Sequence, residues 1–286
     1  MDRRPLNAQT TICAVIGNPV EHSLSPAIHN AAFAVLGLNW AYVAFTVLQL
    51  DQAVAGVRAL GIRGVSVTIP HKVAALSLVD SLDETARMIG SINTIVNTGG
   101  HLAGFNSDGA GALQALRDAG GDPAGRRVVV LGSGGAARAI AVTMALQSPP
   151  EKLTILGELE HELQKLSSDI SEKSQVASDA ALLTPAALAA ALNEADLLIN
   201  ATPVGMHPHT GSSLVPAHLF RKDLLVFDII YNPRKTKLLR EAEQAGCRTL
   251  SGIEMFLHQA AIQFQHWTGL PAPVDVMRAV LEKHFA

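Results

Sequence analysis

Charge is scarce in this chain of 286 residues: only 16% are Asp, Glu, Lys or Arg, against about 25% in ordinary soluble domains. Its 22 basic and 25 acidic side chains leave a net charge of -3, and aromatic residues make up only 4%. A surface with no basic excess does not neutralise a phosphate backbone, and few aromatic platforms are present to stack unpaired bases, so no nucleic-acid partner is expected. Cysteine is nearly missing. Cys13 and Cys247 lie far apart in apolar contexts without metal-ligand neighbours, which reads as buried, reduced thiols of a cytoplasmic protein and not as a disulfide framework. Long apolar runs are missing too. The Ala/Leu-rich stretch 180–192 is broken by Thr184 and Pro185, well short of the roughly 20 apolar residues of a membrane span. The run Ile12–Ile16 stops at Gly17-Asn18-Pro19, too early for the core of a signal peptide. A cytoplasmic location with no membrane association is expected.

Apolar residues are plentiful, at 48%, and at about 150 residues per domain the length predicts two cores. Periodicity alternates between strand and helix. A strand at Ile12–Ile16 precedes a helix with Ile28, Ala31, Ala32 and Val35 on one face, with Ser25-Pro26 as its cap and first turn and Gly37 at its end. Strands at 41–47 and 65–69 alternate with a helix at 52–60 and a short one from about Lys72. A further short helix is expected after Asp83, and Ser91–Asn97 and His101–Phe105 read as a hairpin across Thr98-Gly99-Gly100. A long helix runs from about Asp108 to Gly120-Gly121, after which the pattern restarts with strands at Val128–Leu131, 153–156, 196–200 and 224–230. Two apolar helices, about 254–267 and 274–285, close the chain. This is an α/β protein of two domains: an N-terminal α/β domain, 1–108, completed by the helices of 254–286, and a Rossmann-type domain, 109–253.

The segment Val128–Leu131 runs directly into Gly132-Ser133-Gly134-Gly135-Ala136-Ala137, a G-x-G-x-x-A match between a predicted strand and a predicted helix. The first glycine permits the tight turn, Gly134 lets backbone approach a pyrophosphate, and Ala137 lets helix pack on strand. Helix-end amides then hold the phosphates. Glu158, 26 positions after Gly132 and just past the second strand, is the candidate for the adenosine ribose, where the usual interval is about 20. A carboxylate there accepts the ribose hydroxyls and repels a 2′-phosphate, so NAD is favoured over NADP, while Arg138 in the following helix leaves NADP admissible.

In the first domain, Val65-Ser66-Val67-Thr68-Ile69-Pro70-His71-Lys72 puts polar residues at the carboxyl end of a strand, where open α/β sheets bind ligands. Lys72 alone reads as a surface lysine, and with a partner as an acid/base group. Asp108, in Asn106-Ser107-Asp108-Gly109, reads as a helix cap or as that partner. Ser23 and Ser25 either cap a helix or hold an incoming carboxylate. His207-Pro208-His209 lacks nearby carboxylate or thiol ligands and reads as a surface loop, so no metal is expected.

Together these segments resemble the shikimate dehydrogenase family over nearly the whole chain. Gly17-Asn18-Pro19 with Ser23-Leu24-Ser25-Pro26 is similar to the family's opening motif, which implies that Ser23 and Ser25 hold a substrate carboxylate. Val67–Lys72 matches the motif of the catalytic lysine, assigning Lys72, with Thr68 on the substrate. Gly90-Ser91-Ile92-Asn93-Thr94 and Asn106–Gly109 match the substrate asparagine, Asn93, and the catalytic aspartate, Asp108. Asn200–Met206, with Thr202, resembles the cofactor-side loop, and Asp228–Pro233 the segment whose tyrosine, Tyr231, reaches the substrate. Gly252-Ile253-Glu254-Met255 and Gln259-Ala260-Ala261 resemble the closing motif, with Gly252 on the cofactor, Met255 near the nicotinamide and Gln259 on substrate hydroxyls.

Two departures stand out. The usual Asn before Val-Thr-Ile-Pro is Ser66, from which little consequence is expected, and the Asn-Arg-Thr of NADP-using members is Gly157-Glu158-Leu159. The resemblance implies reversible reduction of 3-dehydroshikimate to shikimate, a step of aromatic amino acid biosynthesis, in a cleft between the domains of a monomer or homodimer. An NAD-dependent quinate/shikimate dehydrogenase is the nearest alternative, with Ser25 favouring the shikimate-type pocket. A non-catalytic NAD- or metabolite-sensing module is the alternative of another class, against which Lys72 and Asp108 together argue.

Overall fold

The structure, a computed structural model, describes residues 6–285. The charged start of the amino terminus, residues 1–5, and the last residue of the chain lie outside the described residues. The chain divides into two compact units, one formed by the residues up to Ser107 together with those from Leu257 onward, the other by Asp108–Phe256.

Among the described residues the first unit holds six strands: β1 (Thr11–Gly17), β2 (Trp40–Thr46), β3 (Gly64–Val67), β4 (Ser81–Leu82), β5 (Thr94–Thr98) and β6 (His101–Phe105), in the order β2-β1-β3-β5-β6-β4. The β1–β2 and β1–β3 pairs are parallel, whereas β5 runs antiparallel to both β3 and β6. The hairpin therefore turns an otherwise parallel sheet into a mixed one. Helices α1 (Ser25–Val35), α2 (Leu50–Ala59) and α3 (Glu84–Ile89) join the strands. Ser25 is the first residue of α1 and makes no capping bond, contrary to its reading as the cap; its hydroxyl pairs with Tyr42 instead. The helix expected from Lys72 is a 3-10 turn at Ala74–Leu78. The reason is a competing partner: the Lys72 carbonyl accepts from the Ile92 amide at 2.9 Å, and Leu76 N bonds Val73 O at 3.2 Å. Asp83 caps α3, accepting from Ala86 N at 2.9 Å.

The second unit alternates α4 (Asp108–Asp118), β7 (Arg127–Leu131), α5 (Gly135–Gln147), β8 (Lys152–Gly157), α6 (Glu160–Lys173), β9 (Ala177–Leu182), α7 (Pro185–Glu194), β10 (Leu197–Asn200), β11 (Leu225–Asp228), α8 (Lys237–Gln244) and β12 (Arg248–Ser251). Its strand order, β12-β11-β10-β7-β8-β9, is parallel throughout. The order reverses at β7, the doubly wound Rossmann arrangement with its ligand crevice beyond the carboxyl ends of the central strands. Two of these strands escape the sequence pattern. β9 and β12 lie at the two edges, half exposed, so neither carries the apolar run of a buried parallel strand.

The chain ends in α9 (Gly252–Thr268) and α10 (Val274–His284). Phe264 and Trp267 of α9 build an aromatic core in the first unit with His29, Phe33 and Tyr42. His29 is fully buried and stacks on Tyr42 at 4.6 Å between ring centroids, and among the described residues neither ring nitrogen has a hydrogen-bond partner. Burial pushes its pKa down from 6.5 to about 3. The sign follows from linkage. With the folded value below the unfolded one, the stability from the neutral ring is present above pH 6.5 and is lost as pH falls toward 3, at about 1.4 kcal/mol per pH unit. Asp228 works in the opposite sense: burial raises it from 3.8 to about 6, so its contribution is present below 3.8 and lost as pH rises through 6. The difference between wild type and His29→Phe cancels that common slope. Denaturant titrations at several pH values are expected to show the variant losing roughly 2 kcal/mol less than wild type between pH 6.5 and 5. Equal slopes contradict the account, since a repacking offset is the same at every pH.

Candidate active site

Topology brings the polar motifs of the first unit to one edge of its sheet. The carboxyl ends of β1 and β3 share that edge because the strands are parallel. The start of β5 and the end of β6 join them because each runs antiparallel to its neighbour. Ser23 and Ser25 follow β1, Thr68 and Lys72 follow β3, Asn93 immediately precedes β5, and Ser107 follows β6.

Hydrogen bonds tie these loops together. Thr68 N bonds Ile16 O at 2.9 Å, and Asn18 N bonds Ile69 O at 2.9 Å, so the opening motif lies against the Thr68 segment. Ser23 Oγ accepts from Ser25 N at 3.3 Å. Ile92 N donates to Lys72 O, which fixes the lysine backbone beside the Asn93 segment. Asn93 is 2% exposed; its Nδ2 donates to Ser107 Oγ at 3.0 Å, and its Oδ1 accepts from Ser107 N at 2.9 Å. Asn106 Nδ2 reaches Ser91 O and Oγ at 3.0 and 3.1 Å. Lys72 is partly exposed, and Asp108, buried, starts α4 one residue after Ser107. Asp108 is a residue of that helix and not its flanking cap, and it is counted with the second unit.

A buried chain of hydrogen bonds behind this edge was not anticipated from the sequence. Tyr42 Oη donates to Ser66 Oγ at 2.6 Å, Ser66 Oγ to Gln263 Oε1 at 2.7 Å, and Gln263 Nε2 to Asn93 O at 3.1 Å. Ser66, noted only as a departure from a motif, is its middle link. Burial raises the Tyr42 hydroxyl well above its ordinary range, so it stays a donor. Gln259 lies one turn before Gln263 on α9 and is partly exposed. That four-residue spacing within Gln259-Ala260-Ala261-Ile262-Gln263 is the signal that points to Gln263.

In the second unit, the glycine loop joins β7 to α5. Gly132 takes φ +109, and a side chain there would lie 3.1 Å from Ala201 O and 3.2 Å from Thr202 Cγ2, so only glycine lets this turn meet the loop after β10. Gly134 and Gly135 are exposed, with open space where a Cβ would stand. Ser133 and Ala136 are partly buried and Ala137 is fully buried under the helix. A bare glycine rim at the start of a helix of 13 residues suits the phosphates of a dinucleotide.

Glu158 stands exposed just past β8, and the first turn of α6 adds Glu160 and Glu162. Glu162 Oε2 accepts from Ser133 Oγ of the glycine loop at 2.7 Å, and Arg138 is ion-paired with Asp169 of α6. Tyr231 stacks on Phe256 at 5.0 Å, and burial raises its hydroxyl pKa. Gly252 starts α9 against the segment that carries Tyr231: its N donates to Ile230 O at 3.2 Å, and a Cβ would lie 2.0 Å from Ile229 O. Met255 is buried one turn on. Among the described residues no group of three His, Cys, Asp or Glu could hold a metal ion, and no helix is long and apolar enough to cross a membrane.

The fold and these two groups of residues define a two-unit α/β protein with a dinucleotide-type Rossmann unit. Family models match it in two places, the shikimate dehydrogenase substrate binding domain over residues 15–95 and the shikimate 5'-dehydrogenase C-terminal domain over 252–282. The shikimate dehydrogenase (NADP(+)) of Methanopyrus kandleri is 45% identical over 283 residues, 98% of this chain and 97% of the relative. That of Symbiobacterium thermophilum is 45% identical over 276 residues, 93% of this chain and 92% of the relative. Shikimate 5-dehydrogenase of Listeria monocytogenes, solved in complex with shikimate and NAD, superposes with a TM-score of 0.92 at 36% identity, covering 97% of this chain and 98% of that one. The chain belongs to the shikimate dehydrogenase family.

Proposed function

We propose that this protein is a shikimate dehydrogenase, interconverting shikimate and 3-dehydroshikimate with a nicotinamide dinucleotide. The observation that carries the reading is the gathering of Ser23, Ser25, Thr68, Lys72 and Asn93 at one sheet edge, in a chain 45% identical over 98% of its length to a shikimate dehydrogenase. Ser23 and Ser25, with Tyr231, hold the substrate carboxylate, and Thr68, Asn93 and Gln259 bind ring hydroxyls. Lys72 moves the proton at the reacting ring oxygen, and Asp108 orients its ammonium. The glycine loop Gly132–Ala137, with Thr202, Gly252 and Met255, fits the dinucleotide, whose nicotinamide supplies or accepts the hydride when bound.

The cofactor reading is NAD over NADP. Three acidic side chains follow the end of β8, Glu158 and, in the first turn of α6, Glu160 and Glu162, and Arg138 is already matched by Asp169. A 2′-phosphate placed there meets like charge, whereas ribose hydroxyls find acceptors. The curated relatives named above use NADP(+) and the Listeria structure holds NAD, so the choice turns on these residues. Steady-state kinetics with each dinucleotide is expected to give kcat/KM at least about tenfold higher with NAD, and a ratio favouring NADP rejects this part of the reading.

A further inference from the structure

The second unit buries one carboxylate that the mechanism does not use. Asp228, at the end of β11, has no exposed surface. Its Oδ1 accepts from Asn200 Nδ2 at 3.0 Å and from Ile230 N at 3.2 Å, and its Oδ2 accepts from Thr236 Oγ1 at 2.5 Å. Asn200 is the in-register neighbour of Asp228 at the end of β10. With its amide committed to Asp228, Asn200 turns its Oδ1 outward to accept from Thr202 N at 3.2 Å and Thr202 Oγ1 at 2.7 Å. Thr202 in turn lies against Gly132 of the glycine loop. On the other side, Thr236 Oγ1 caps α8 by accepting from Leu239 N at 3.3 Å. The Ile229–Asn232 segment that carries Tyr231 is held at Ile230 by Asp228, and its Asn232 O accepts from His207 N at 3.1 Å.

One carboxylate thus decides which way the Asn200 amide faces, and so where the Thr202 hydroxyl points. We propose that Asp228 is a positioning residue for dinucleotide binding: through Asn200 it orients Thr202 beside the glycine loop, and through Ile230 it sets the segment bearing Tyr231. Without an acceptor at Oδ1, the Asn200 side chain is released to rotate, and Thr202 loses its anchor. The proposal rests on the dinucleotide reading of this unit. A buried carboxylate held at three points is stiff, because each donor it satisfies would otherwise be left unpaired in the interior.

The test compares Asp228→Leu, which removes the acceptor, with Asp228→Asn. The amide keeps an oxygen toward Asn200 and Ile230 and can donate to Thr236, whose hydroxyl turns to accept. Fluorescence titration of the full-length chain with NADH is expected to show Kd about tenfold higher in Asp228→Leu and within about threefold of wild type in Asp228→Asn. Asn200→Leu, which cuts the same link and leaves Asp228 its bonds to Ile230 and Thr236, is expected to match Asp228→Leu, and serves as the readout if Asp228→Leu does not fold. Adding Thr202→Val to Asn200→Leu is expected to weaken binding no further, since both act through one hydroxyl. A folded leucine variant that binds NADH as wild type does, an asparagine variant as impaired as leucine, or fully additive losses with Thr202→Val each overturn the proposal alone. A wild-type chain that binds no dinucleotide overturns the cofactor reading and this inference with it.

Discussion

Replacing Lys72 with alanine is expected to lower kcat for shikimate oxidation by about a hundredfold or more, with KM for shikimate changed by less than about threefold. The size follows from what the side chain is asked to do. In the proposed mechanism its ammonium meets the ring oxygen while charge develops there, so the interaction is worth more in the transition state than in the bound ground state. In that proposal substrate affinity rests mainly on other groups, the serines after β1 and the Asn93 amide, which the substitution leaves alone. Lys72 is partly exposed and its backbone is held by the Ile92 amide, so truncation beyond Cβ leaves the fold intact. Steady-state kinetics with saturating NAD measures both constants. Unchanged turnover removes Lys72 from the mechanism, and a rise confined to KM reassigns it to binding.

The second large effect falls on stability. Trp267→Ala is expected to cost about 3–5 kcal/mol and to lower the thermal midpoint by on the order of 10 °C. Trp267 is 1% exposed, its Nε1 donates to Ile95 O at 3.1 Å, and its ring lies flat on Gly64, where a Cβ would stand 2.2 Å from indole Cδ1. The truncation removes the largest side chain of the aromatic core, takes the indole hydrogen bond away from the Ile95 carbonyl and opens a void between β3 and α9 that glycine cannot fill. It also unseats the turn of α9 that presents Gln263 to Ser66 and Asn93. Equilibrium denaturation gives the number directly. A loss below about 1 kcal/mol contradicts the assignment of this cluster as the core of the first unit.

How much of this was legible in the sequence depends on whether the information is local. The glycine loop reads directly because its determinants are contiguous: an apolar strand, a turn that only Gly132 can make, and a helix start. The hairpin reads equally well because Gly99 and Gly100, both at positive φ, sit between two apolar runs. The edge strands β9 and β12 did not read, since a half-exposed parallel strand carries neither a continuous apolar run nor clean alternation. The 3-10 turn after Lys72 did not read because its geometry is decided by Ile92, twenty residues on. The chain from Tyr42 through Ser66 to Gln263 joins positions 24 and 197 residues apart, so no local pattern marks it. Asp228 carries a faint mark, a charged residue closing the apolar strand Leu225-Val226-Phe227. Its meaning appears only when β10 brings Asn200 alongside.

The most direct test of the whole account mixes the purified chain with shikimate and NAD, and separately NADP, and follows the absorbance of reduced nicotinamide. The account predicts shikimate-dependent formation of the reduced dinucleotide, faster with NAD than with NADP, faster with shikimate than with quinate, and nearly abolished by Lys72→Ala. A folded chain that reduces neither dinucleotide in the presence of shikimate contradicts it.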